Sequence, residues 1–191
     1  MLIYNDELGR QRSVASLRIN FAVIILISAM LITLPSCSKN NRYVNKEVGY
    51  EITGPPDWYI YPSSNGGVSF ARYNREKYGN STISVLVDTL ISNANTPLGY
   101  MNDIFLPQMQ QQFQEQEKFT IEPISGPRTV EMNGYQWATV KYWLAENTLQ
   151  IVYITFSRRN IFVIVLNSTG SQHTEEEDLF FNAFDSFKIY E

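Results

Sequence analysis

The chain has 191 residues, a formal net charge of −4 and one cysteine, Cys37. A lone cysteine excludes an internal disulfide, so the fold must be held by its core, and the acidic balance lacks the clustered basic surface that nucleic acid selects. With 44% hydrophobic and 14% aromatic residues, the chain can fill one core of ordinary size.

The first predicted element is a leader. Arg10, Arg12 and Arg18 form a basic region, and residues 21–34 (FAVIILISAMLITL) are apolar apart from Ser28 and Thr33. That run falls short of the about 20 residues of a membrane-spanning helix and has the flanks of a signal peptide. It resembles a bacterial lipoprotein signal: Leu34 stands three residues before Cys37 and small Ser36 just before it, with Pro35 replacing the usual small residue. The resemblance implies cleavage after residue 36 and lipidation of Cys37. The competing readings are an uncleaved anchor with a buried thiol, or a catalytic thiol. A catalytic thiol needs a base, and the single histidine, His173, lies far off in sequence.

Without residues 1–36 the chain keeps 12 basic and 17 acidic residues. Attachment then falls to acyl chains, since charge gives no help on anionic lipid. Residues 38–47 (SKNNRYVNKE) lack apolar periodicity, so residues 37–47 are predicted to be a polar tether and residues 48–191 a single domain. Ser38, in place of aspartate, resembles outer-membrane sorting in a Gram-negative host.

Short β-type runs follow at 49–53, 67–72 and 81–88, broken by Pro55-Pro56 and by a polar loop at 73–80. The period then changes. Thr96 and Pro97 read as N-cap and first helical residue, and Leu98, Met101, Phe105, Met109 and Phe113 recur at spacings of three and four. Pro107 predicts a kink or a helix junction near Leu106. Strands are expected next at 119–124, 128–132, 135–144, 149–157 and 161–166, with breaks at Asn133-Gly134, Glu146-Asn147 and Arg159-Asn160. Short connections make these an antiparallel meander, and the continuously apolar IFVIVL at 161–166 belongs at the centre of a sheet covered on both faces. Thr174 and Glu177 fit a capping box for a closing helix whose apolar stripe is Phe180, Phe184 and Phe187. The carboxylates at 175–177 diverge around such a helix, so no metal ligands and no cofactor are predicted.

This order of elements, with Gly49-Tyr50, Pro55-Pro56-Asp57-Trp58, Asn133-Gly134 and the closing FDSFKI at 184–189, resembles the PsbP-like family across nearly all of residues 48–190. The resemblance implies an α+β fold, an α/β/α sandwich around an antiparallel sheet, and a non-enzymatic role assisting a membrane-associated assembly. Some photosynthetic members bind metal through histidine and carboxylates. With one histidine here, no metal residues carry over.

No catalytic signature is present: HExxH, GxSxG, the P-loop and GxGxxG are all missing. Two functions remain. One is a lipid-anchored accessory or assembly factor that docks on an envelope protein complex from the extracytoplasmic side of the cell membrane or outer membrane. The other is a lipid-anchored binding protein for a small molecule or glycan held between sheet and helix. For docking, the candidate surface is one face of strand 135–144, where Tyr135, Trp137, Lys141 and Trp143 combine aromatics with a charge. The competing reading of that face is core, covered by a helix with Lys141 reaching out to water.

Overall fold

The computed structural model describes residues 41–74, 79–89, 95–115, 121–144, 148–169 and 173–190. The leader, Cys37 and the Glu146-Asn147 break lie outside the described residues. The described residues form ten strands: β1 (Arg42–Asn45), β2 (Tyr50–Thr53), β3 (Tyr59–Pro62), β4 (Val68–Asn74), β5 (Gly79–Thr89), β6 (Ile121–Met132), β7 (Tyr135–Leu144), β8 (Thr148–Phe156), β9 (Asn160–Thr169) and β10 (Lys188–Ile189). Seven make the main sheet, in the order β3-β4-β5-β9-β8-β7-β6, and every neighbouring pair is antiparallel. β1, β2 and β10 form a small second sheet.

The central position expected for the IFVIVL run is the one β9 occupies, fourth of seven. Its alternate residues feed two cores. Phe162, Ile164 and Leu166 face α3 (His173–Asp185) and the small sheet, together with Tyr50, Ile52, Phe180, Phe184 and Phe187. Ile161, Val163 and Val165 face the other way, onto Tyr100, Met101, Phe105 and Met109. The architecture is thus the α+β sandwich expected, with a helical layer on each face of an antiparallel sheet.

Local chemistry explains most boundaries. Thr96 caps α1 (Pro97–Tyr100), its hydroxyl accepting from Gly99 N–H at 3.0 Å, and Pro97 opens the helix. Pro107 brings the expected junction in a specific form: a π-helical turn (Met101–Phe105) precedes α2 (Leu106–Glu115). Leu106 N–H bonds the Met101 carbonyl, which widens the turn where a proline ring would otherwise crowd the carbonyl of Asp103. At the β6–β7 hairpin Asn133 (φ 55°) and Gly134 (φ 76°) are both left-handed, as a tight two-residue turn requires.

Three expectations need correction. The strands expected at 119–124 and 128–132 are one strand, β6, which absorbs Gly126-Pro127 through two register shifts between Pro123 and Arg128. As an edge strand it tolerates prolines that a central strand would not. The tether is shorter than expected, because Arg42–Asn45 pairs with β2 in full antiparallel register. Asn41 is buried, donating from Nδ2 to the carbonyls of Pro55 and of Trp58 (2.9 Å) and accepting from Gly54 N–H at 2.8 Å. Four polar-patterned residues were enough for a strand because the pairing lies on an open edge, where periodicity carries little signal. Finally, α3 begins at His173, one residue before the expected cap Thr174; the side chains at 173–175 lie outside the described residues, and with them the Thr174 half of the capping box.

The small sheet is held by one carboxylate. Glu51 on β2 is ion-paired with Arg42 on β1 and, at 3.5 Å, with Lys188 on β10. The Tyr190 hydroxyl donates to it, and that bond, followed by the one from Arg42, draws its carboxyl from the ordinary 4.5 to about 2.

Three outcomes follow from this packing. Trp137→Ala, in a chain beginning at Ser38, should lower unfolding free energy by about 3–5 kcal/mol in urea melts, because the indole has no exposed surface. Removing β1 by starting the chain at Val48 should lower the melting temperature relative to the Ser38 start; equal melting would refute the new boundary. A depressed carboxyl stabilises the fold above its unfolded pKa and ceases to do so as pH falls through the folded value. The melting difference between the parent and Glu51→Gln should therefore be full above about pH 5 and vanish toward pH 2, and a difference independent of pH would contradict the assignment.

Candidate functional site

The four residues of β7 expected to meet a partner have different surroundings. Trp137 is wholly buried: its ring lies 4.7 Å from Phe184 and 5.6 Å from Phe187, and its Nε1–H donates to the Met132 carbonyl at 3.1 Å. It is a core residue and not a surface anchor, because the last turn of α3 and the residues that follow it bring Phe184 and Phe187 onto this end of the strand. Tyr135 is half-buried, and its hydroxyl accepts from Ile189 N–H at 3.2 Å, joining the main sheet to β10. Lys141 lies 4.0 Å from Glu177 of α3, and Trp143, farther along, is half-buried. Alternation placed all four on one face, while the reach of α3 divided them. Lys141 and Trp143 remain at the solvent margin.

Glu176 was missed at the sequence level. Its side chain is fully buried, accepting from Ser81 and, at 2.8 Å, from Ser168, with Arg72 Nη1 3.6 Å from Oε1. The signal was available in the helix period: residue 176 stands one turn before Phe180 and two before Phe184, on the same inward stripe. Small hydroxyls at 81 and 168 make room for a carboxylate there and supply its donors. Among the described residues no three His, Cys, Asp or Glu side chains gather as a metal site.

A cleft of about 450 Å³ opens at the rim of the sheets. It is lined by Lys46, Glu47, Val48 and Gly49 from the β1–β2 turn, Ser157, Arg158, Arg159 and Asn160 from the β8–β9 turn, and Tyr190. Both turns are fixed by their own hydrogen bonds. Asn45 Oδ1 accepts from Glu47 and Val48 N–H, each at 3.0 Å, and Gly49 N–H reaches the Asn45 carbonyl at 2.9 Å. Gly49 has φ 86°, and a Cβ there would stand 2.7 Å from the Tyr190 carbonyl oxygen, so this corner requires glycine. Opposite, Ser157 Oγ accepts from Asn160 N–H at 3.0 Å, and Asn160 Nδ2 crosses to the Val48 carbonyl at 3.2 Å. Tyr190 N–H donates to the Gly49 carbonyl at 2.7 Å, which holds the tyrosine at the cleft wall. Its hydroxyl is engaged with Glu51, and that bond raises its own pKa. Periodicity could not locate this site, because two turns whose linking contact joins residues 112 apart in sequence have to meet.

No family model matches the chain, and no curated protein matches it. Among solved structures it is similar to the solution structure of cyanobacterial PsbP (CyanoP) from Synechocystis sp. PCC 6803, with a TM-score of 0.63 and 17% identity over 85% of this chain and 99% of that one. A protein of unknown function, PA94 from Pseudomonas aeruginosa, described as a putative regulator, is more distant, with a TM-score of 0.45 and 11% identity over 78% of this chain and 96% of that one. The first likeness establishes a PsbP-like fold for this chain.

Proposed function

We propose that this chain is a membrane-anchored bacterial lipoprotein, lipidated at Cys37, that acts without catalysis as an accessory or assembly factor docking on an envelope protein complex. The observation that carries the reading is how the interior is used. The layer between the main sheet and α3 is occupied by rings in mutual contact, Trp137, Tyr153, Phe184 and Phe187 among them at centroid distances of 4.3–6.3 Å. Recognition therefore falls to the rim and the solvent margin, as suits a docking protein. The PsbP-like fold and the leader, with its basic region, short apolar run and Leu34-x-Ser36-Cys37 spacing, support the same reading.

Partner contact is assigned to the part of the β7 face at the margin of α3, where Lys141 and Trp143 stay half-buried. Trp143 offers aromatic area and Lys141 a charge at a wetted edge. Lys141 is paired with an exposed Glu177, so Lys141→Ala should change stability by less than about 1 kcal/mol and can be read as a binding variant.

Two measurements test the proposal. Radiolabelled palmitate supplied to a bacterial host should enter the wild-type chain and not Cys37→Ser, which should accumulate as the longer precursor. Mass spectrometry showing residues 1–36 intact on the mature protein, with an unmodified thiol, would remove the lipoprotein reading. A photoreactive amino acid at position 143 should crosslink one discrete membrane-associated protein in intact cells, whereas the same group at buried position 137 should not. Absence of a discrete product from position 143 would remove the docking assignment.

A further inference from the structure

We propose that the rim cleft is a binding site for a phosphate-bearing anion. The chain as a whole is acidic, yet this one concavity gathers three cations, Lys46, Arg158 and Arg159, against a single carboxylate, Glu47. The lining residues carry a formal charge of +2, Arg158 included although it already has a partner within the protein, and a phosphate monoester carries about −1.5 to −2 at neutral pH. Guanidinium groups present paired donors suited to oxyanions, and the ammonium of Lys46 adds a mobile point charge from the opposite wall.

The remaining lining fits an organic phosphate. Ser157 and Asn160 add polar groups, while Val48 and the ring of Tyr190 give an apolar wall for the body of the ligand. A volume of about 450 Å³ falls in the range of small-molecule sites. The walls are also set before binding. The Asn160–Val48 hydrogen bond ties one turn to the other, and the Tyr190–Gly49 bond fixes the third wall, so little backbone order has to be created by the ligand. The site is independent of lipidation and of the docking surface on β7, and it can exist whether or not either of those readings holds.

Shared chemistry leaves two sources for the phosphate, a soluble metabolite or a lipid headgroup, and the experiment separates them. Full-length chain carrying Cys37→Ser, held in neutral detergent micelles, is titrated calorimetrically with inorganic pyrophosphate. In parallel the same protein is offered vesicles of phosphatidylglycerol or of phosphatidylcholine. Saturable binding of pyrophosphate should weaken by about tenfold or more in the Arg158→Gln/Arg159→Gln double variant and in Lys46→Gln. It should tighten in Glu47→Gln, a direction that simple damage to the fold would not produce. Melting temperatures measured alongside establish that each variant is folded; should the double variant unfold, Lys46→Gln and Glu47→Gln decide the matter. Pyrophosphate binding with no arginine-dependent preference for phosphatidylglycerol identifies a soluble ligand, and the reverse pattern identifies a headgroup. If neither probe binds in a manner that depends on Lys46, Arg158 and Arg159, or if Glu47→Gln weakens binding, the proposal is overturned.

Discussion

The rest of the molecule hangs on the aromatic contact between strands β7 and β8 of the main sheet and the last turn of α3. Trp137 and Tyr153 project from neighbouring strands β7 and β8, and Phe184 settles against both, at 4.7 and 4.3 Å between ring centroids. Phe187 then reaches Trp137, Phe162 and Tyr50 in turn, at 5.5–5.7 Å. That position of Phe187 dictates where β10 must run, and β10 is what pairs with β2. Once β2 is placed, β1 can add to its other edge, Glu51 can join all three strands, and Tyr190 arrives beside Gly49. The cleft is the last consequence of this chain of placements. A loosened Phe184 contact would therefore be felt at the rim cleft, through strand position and not through charge.

On the opposite face, register is set by polar groups. The Tyr142 hydroxyl donates to Gln150 Oε1, Gln150 Nε2 donates to Asn167 Oδ1 at 2.5 Å, and Asn167 Nδ2 donates to Thr82 Oγ1 at 3.0 Å. Each of these pairs is also a directly opposed pair in the sheet, on β7–β8, β8–β9 and β9–β5. A slip of one residue in any of the three pairings would turn these groups to the wrong face and leave the buried Gln150 amide or its half-buried partner Asn167 unsatisfied, a cost added to the lost apolar contact. The hydrophobic strands would pack in several registers. The polar ladder selects one.

What could be read from the sequence follows from the range of each signal. Elements whose pattern is local and strong were legible: β7 at 135–144, the central β9, the Thr96–Pro97 helix start and the Asn133-Gly134 turn all rest on periodicity or on a dihedral requirement within a few residues. β1, β3 and β10 were not, since these short runs lack the apolar alternation that marked β2 and exist because a partner edge is available. Strand alternation correctly put Trp137 and Lys141 on the same face. It could not say which of them a helix from 40 residues later would cover, and the division of the expected docking face comes entirely from that. Glu176 shows the complementary case, where the carboxylates at 175–177 were read only as a capping turn with diverging side chains, while helical phase pointed residue 176 inward.

The shortened tether changes what lipidation at Cys37 would mean mechanically. Only four peptide steps separate Cys37 from Asn41, which span at most about 14 Å when fully extended, and Asn41 is itself clamped to the carbonyls of Pro55 and Trp58. A free linker over residues 37–47 would let the domain sample many orientations above a bilayer. Four steps ending on a buried residue confine it to a narrow zone next to the surface, with the Asn41 corner toward the lipid. The cleft lies at the other end of β1, beyond Asn45, so a lipidated chain would carry its cationic concavity turned away from the leaflet that anchors it. On that geometry a soluble ligand, or a headgroup presented by another membrane, is better placed to reach Arg158 and Arg159 than a lipid of the anchoring leaflet.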